Sequence, residues 1–154
     1  NKGLHIKMIF ITKSAEETKA IGAQIAEKLD TGGIKRAFIA MRGEMGVGKT
    51  AFTSGFASYF GITGVKSPTY AVMNQYGRGA RVKIYHFDMY RIKDEDDLYS
   101  IGYDDYVEAD GYAIVEWSEN IEYAIPDGAI FVTIERVAEG ENYRKITVEG
   151  GIVE

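Results

Sequence analysis

The sequence predicts an α/β fold, a three-layer sandwich around a mixed central sheet that includes antiparallel hairpins. Three observations carry that expectation. Gly43-Glu44-Met45-Gly46-Val47-Gly48-Lys49-Thr50 spell a complete G-x-x-x-x-G-K-T loop. Ahead of it, Ala37-Phe38-Ile39-Ala40-Met41 is a short apolar run of the kind found in a strand covered on both faces. Behind it, Phe52, Phe56 and Phe60 recur at helical spacing, one apolar stripe on a helix that stops at Gly61. Strand, loop and helix thus follow in the order of a P-loop NTPase-like domain.

The loop implies a nucleoside triphosphate. Its glycines allow a tight turn with backbone N–H groups pointing inward, where they hydrogen-bond phosphate oxygens with no Cβ in the way. The helix that follows adds its positive end to the same anion site. Lys49 would reach the β- and γ-phosphates, and the Thr50 hydroxyl would sit on a bridging Mg2+. The cofactors expected are therefore Mg2+ and a nucleoside triphosphate, with ATP favoured over GTP because no guanine-reading motif follows the loop.

The remaining elements can be read in chain order. Residues 8–12 alternate weakly, as a first strand would. Ser14-Ala15-Glu16-Glu17 is a capping box opening a helix with Ile21, Ile25 and Leu29 on its core side. The 12–18 segment reads equally well as a plain helix start or as a border of the nucleotide base. Residues 30–33 form a turn before the strand that enters the loop. Two β-rich runs, 69–76 and 81–88, are joined by Gly77-Arg78-Gly79-Ala80 as an antiparallel hairpin. A short acidic helix capped by Asp94 should end at Gly102, with Leu98 and Ile101 inward. Tyr112-Ala113-Ile114-Val115-Glu116-Trp117 is the next buried strand, and Pro126-Asp127-Gly128 is a turn. Runs 129–137 and 144–149 close the chain as a second hairpin.

At 154 residues the chain fits one domain, taken as 8–150, with residues 1–7 either a vector remnant or part of an edge strand. The absence of cysteine excludes thiolate metal sites, thiol nucleophiles and redox switching. No run is apolar enough to span a membrane and no signal-peptide pattern opens the chain, so a soluble cytoplasmic protein is expected. A net charge of −5 argues against an extended nucleic-acid-binding surface; nucleic acid, if involved, would be held by a partner.

Hydrolysis or transfer also needs an acid near the metal and a group that orients the attacking atom. Ile84-Tyr85-His86-Phe87-Asp88 and Ile114-Val115-Glu116 each end an apolar run in a carboxylate. Strand-end acids can meet the phosphate loop beyond the carboxyl ends of parallel strands. Lys49, Asp88 and Glu116 are thus the candidate catalytic set, one acid holding Mg2+ and the other orienting water. His86 reads as a packed or hydrogen-bonded strand residue rather than a catalyst. No N/T-K-x-D guanine reader follows the loop, and Asp30-Thr31-Gly32-Gly33 has a D-x-x-G spacing on the wrong side of it. A small-molecule kinase remains the alternative, although arginines for a phosphate-clamping lid are few and scattered.

Ser67-Pro68-Thr69-Tyr70, His86-Phe87-Asp88-Met89-Tyr90-Arg91 and Val115-Glu116-Trp117, in that order behind the phosphate loop, resemble the TsaE (YjeE) family over roughly residues 12–126. That resemblance implies an ATPase required for N6-threonylcarbamoyladenosine (t6A) at adenosine 37 of tRNA. It acts on a complex of TsaD with TsaB, hydrolysing weakly alone and contacting tRNA only through those partners. The resemblance further implies that Thr50 and Glu116 bind Mg2+ and that residues 45–50 wrap the phosphates. Asp88 and Trp117 would be further site residues, with Thr69 in a nucleotide-sensitive loop near the γ-phosphate. Glu44, Met45 and Val47 stand where the family often has Asp, Leu and Ala, at positions where backbone does the binding.

Overall fold

A computed structural model describes residues 4–68 and 72–152 as one seven-stranded sheet with helical layers on both faces. The strands are β1 (Leu4–Thr12), β2 (Arg36–Arg42), β3 (Met73–Tyr76), β4 (Ile84–Asp88), β5 (Gly111–Glu116), β6 (Ile130–Arg136) and β7 (Arg144–Ile152). Their order in the sheet is β1-β7-β6-β2-β5-β4-β3. β2 lies parallel to both β5 and β6, and β4 parallel to β5. The β3–β4 and β6–β7 hairpins and the β1–β7 pair are antiparallel.

Helices α1 (Ala15–Thr31) and α2 (Lys49–Tyr59) cover one face. Helices α3 (Glu95–Ser100) and α4 (Tyr103–Glu108), with a kinked 3₁₀ segment at Ser118–Ala124, lie on the other. The period-two geometry of β2 explains how one apolar run serves both layers. Ile39 and Met41 point toward α1 and α2, where Phe52 and Phe56 are fully buried. Phe38 and Ala40 point into the opposite core with Phe87, Tyr103 and Val115. α1 and α2 approach so closely that a methyl on Gly22 would strike the Phe52 carbonyl oxygen, and one on Gly55 the Lys19 carbonyl oxygen.

The predicted helix starts are present, with a variation. Ser14 Oγ accepts from the Glu17 amide at 3.1 Å, but Glu17 reaches back to the Lys13 amide, at 2.7 Å, rather than to that of Ser14. Asp94 and Asp97 repeat the arrangement on α3, with Asp97 accepting from the Lys93 amide. The first strand begins at Leu4, so residues 4–7 continue the edge strand. β3 ends at Tyr76 as expected and β4 begins at Ile84 rather than at 81, after a turn through the positive-φ Gly77 and Gly79, while residues 69–71 of the first run lie outside the described residues. Gly102, at φ +75, ends α3 as expected but also starts α4, which the sequence reading did not separate from loop. No helix among the described residues is long and apolar enough to cross a membrane.

Candidate functional site

The order of the three parallel strands builds the site. The 43–50 loop leaves the carboxyl end of β2 and enters α2 at Lys49. Neighbouring β5 ends at Glu116, and β4 beside it ends at Asp88; the two acids are register partners on adjacent strands. A cleft of about 600 Å³ opens between them and the loop, lined by Met45, Gly46, Gly48, Lys49 and Thr50 on one side. Asp88, Glu116 and Trp117 line it from the other, joined by Ser67, Tyr90 and Arg91 at the margins.

Three positive-φ glycines shape the loop: Gly43 at +149, Gly46 at +77 and Gly48 at +123. At Gly43 a Cβ would also meet the Ile134 carbonyl and the Val47 side chain, so only glycine fits. Val47 is buried and anchors the loop to the core, whereas Met45 is 75% exposed at the mouth. Lys49 is buried and its Nζ donates to the Gly43 carbonyl at 2.7 Å, folding the side chain across the loop. Gly43, Glu44 and Val47 do not line the cleft, in contrast to the rest of the predicted octet.

The acids are held in different ways. Glu116 is 5% exposed and bonds His86, which is fully buried, with 2.7 Å between Oε2 and Nε2. Asp88 is half-buried, and its Oδ1 accepts from the Tyr90 amide at 3.0 Å. Asn120 donates to the Met89 and Tyr90 carbonyls, fixing the chain just past Asp88. Trp117 has left-handed backbone, φ +58, directly after Glu116, and turns its ring toward the loop. Lys49 Nζ lies 5.1 Å from the centre of that ring, within cation–π range, and Tyr90 packs at 5.0 Å. Trp117 thus lines the cleft and also packs against the core on the side of α3 and α4. Thr69 lies outside the described residues. Thr18, hydrogen-bonded to Thr12 at 2.9 Å, sits beside Gly48.

Two residues that the sequence reading missed contact the loop from behind. Arg136 donates to Glu44 Oε1 at 2.7 Å and, at 3.5 Å, to the Gly46 carbonyl. Arg144 Nε donates to the Val47 carbonyl at 2.7 Å. These arginines are register partners at the tip of the β6–β7 hairpin. Nothing local in the sequence marks them, because their connection to the loop spans 92 and 97 residues.

Comparison with known proteins agrees with the geometry. The family model described as "Threonylcarbamoyl adenosine biosynthesis protein TsaE" matches residues 12–146. A relative from Bacillus subtilis, named tRNA threonylcarbamoyladenosine biosynthesis protein TsaE, is 37% identical over 88% of this chain and 81% of its own length. One of the same name from Haemophilus influenzae is 36% identical over 80% of this chain and 77% of its own. The crystal structure of Bacillus subtilis YdiB superposes with a TM-score of 0.75 at 29% identity, covering 96% of this chain and 87% of that one. A family match over residues 12–146, with the phosphate loop and both strand-end acids inside it, establishes that the chain belongs to the TsaE family.

Proposed function

We propose that this chain binds MgATP and hydrolyses it in support of t6A formation on tRNA, acting on a TsaB–TsaD complex in the cytoplasm. One observation carries the nucleotide part. The G-K-T end of the phosphate loop and two strand-end carboxylates face one cleft. A loop alone would bind phosphate; the pair of acids opposite it adds what hydrolysis requires.

The donors fit Mg2+. Thr50, Asp88 and Glu116 offer hard oxygen ligands, and no cluster of three or more metal-binding side chains exists among the described residues. Mg2+ is usually held by one or two carboxylates together with phosphates and waters, rather than by a protein cage. Bound there, it would neutralise charge on the β- and γ-phosphates. Lys49 brings a cation to the phosphate loop, and the loop amides and the α2 N-terminus add partial positive charge. Glu116 commits Oε2 to His86, which leaves Oε1 for the cleft. Of Asp88 and Glu116, one would hold the cation and the other would orient the attacking water. The division of labour also suits the net charge of −5, since a protein docking beside a tRNA-binding enzyme need not grip RNA itself.

Phosphate release measured with and without TsaB and TsaD, on wild type and Glu116→Ala, tests the proposal. Weak release by the wild type, stimulated by the pair and lost in the variant, is expected. Stimulated hydrolysis that survives Glu116→Ala overturns the mechanistic assignment, and stoichiometric phosphorylation of a metabolite replaces the reading with a kinase.

A further inference from the structure

We infer that Arg144 is a positioning residue for the phosphate loop: it holds the Val47 carbonyl on the outside of the loop and thereby turns the Gly48 N–H toward the phosphates. The inference rests on the nucleotide-binding reading of the cleft and adds a residue from the closing hairpin to it.

The geometry of the peptide unit supplies the argument. In a planar trans peptide the C=O and the following N–H point in opposite directions. Arg144 Nε takes the Val47 oxygen at 2.7 Å, and Val47 itself is buried, away from the cleft. The N–H of the same peptide unit belongs to Gly48, which does line the cleft. Anchoring the oxygen behind the loop therefore aims that amide at the space in front. Gly48 is the place where such an anchor matters, because at φ +123 it has no Cβ to restrict its rotation.

The guanidinium is itself fixed. Its Nη1 donates to the Glu141 and Tyr143 carbonyls, both at 2.8 Å, so three backbone oxygens set its plane. Among the described residues it makes no ion pair, whereas Arg136, Arg42 and Arg81 each face a carboxylate. No carboxylate pairs with it among the described residues, so its charge, held against the Val47 carbonyl behind the loop, favours bound phosphate. Arg136 contributes less: its bond to the Gly46 carbonyl is long, and its partner Glu44 is mostly exposed.

The test is titration of MgADP into wild type, Arg144→Met and Arg144→Lys by calorimetry, with melting temperatures taken without nucleotide. Loss of one hydrogen bond from a charged donor corresponds to roughly tenfold weaker MgADP binding in Arg144→Met. Arg144→Lys keeps the charge without the fixed fork and should recover about threefold of that loss. If both variants bind within twofold of wild type, or if melting falls while the affinity of the folded protein is unchanged, Arg144 merely braces the hairpin and the inference is wrong. Should Arg144→Met not fold, Arg144→Lys decides by the same criterion. A wild type that binds no MgADP overturns the nucleotide reading itself, a different result from variants that bind normally.

Discussion

His86 Nε2 and Glu116 Oε2 lie 2.7 Å apart on neighbouring parallel strands, with the imidazole fully buried beneath the cleft. Among the described residues, His86 Nδ1 is buried with no hydrogen-bond partner. A bare nitrogen lone pair is easier to leave unpaired there than an N–H, so the proton belongs on Nε2, donated to the carboxylate. His86→Ala removes that donor and opens a cavity, and should cost about 2–4 kcal/mol by urea unfolding. His86→Gln retains an N–H near the same place and should cost less. Partner-stimulated phosphate release should fall at least about tenfold in the alanine variant and recover partly in the glutamine one. Equal release from both variants would show that the pair does not orient Glu116.

Trp117 is the chain's one tryptophan, and its ring is in contact range of Lys49. On the proposed nucleotide-binding reading, phosphate would draw on the same ammonium, so saturating MgADP or MgATP should change intrinsic tryptophan fluorescence. An unchanged spectrum, with binding verified by calorimetry, removes Trp117 from the nucleotide's surroundings.

The α1–α2 contact is intolerant of a single methyl. Gly55→Ala places Cβ onto a backbone carbonyl, an atom that cannot swing aside, and should destabilise by at least about 3 kcal/mol or prevent folding. Gly61→Ala is the comparison: its Cβ meets open space, and only the φ of +78 opposes it. That change should cost about 1 kcal/mol by chemical denaturation. A similar cost for both would mean that the helices separate easily.

At the opposite end of the sheet, Arg81 donates to both oxygens of Asp30, at 2.9 and 3.3 Å, and Tyr59 donates to Oδ2. The Arg81 bond, followed by that of Tyr59, lowers the Asp30 pKa below its ordinary 3.8. A depressed carboxylate contributes stability above its unfolded pKa and loses it as pH falls through the folded value. Arg81→Met should therefore melt slightly below wild type at neutral pH, and the gap should close as pH drops below 3.8. High salt should narrow it as well, since Arg81 is mostly exposed. A gap that persists in acid would point to lost packing of Arg81 on Phe60 instead.

Local signals made much of this molecule legible. The apolar run before the loop gave β2, the phenylalanine stripe gave α2, and Ser14 and Asp94 marked two helix starts. Acids at the ends of apolar runs led to Asp88 and Glu116, because strand-end position is itself a sequence property. What stayed hidden depends on tertiary contact. α4 is only six residues long, and its buried Tyr103 becomes meaningful only against Phe38 and Phe87. The role of His86 requires β4 and β5 to be adjacent, and that of Arg144 requires the last hairpin to fold back behind β2's loop.

Strand order has one more consequence at the cleft. From β4 through β5, β2 and β6 to β7 the sheet edge presents Asp88, Glu116, Lys49 at the base of its loop, Arg136 and Arg144. Among these five side chains the acids lie on one flank and the cations on the other, with the glycine loop at the crossover, Glu44 pairing with Arg136 and Arg91 bordering Asp88. Such a row has a direction of its own, perpendicular to the strands. An elongated anion carrying a cation at one end would meet the two flanks unequally, so it would have a preferred heading before any side chain moved.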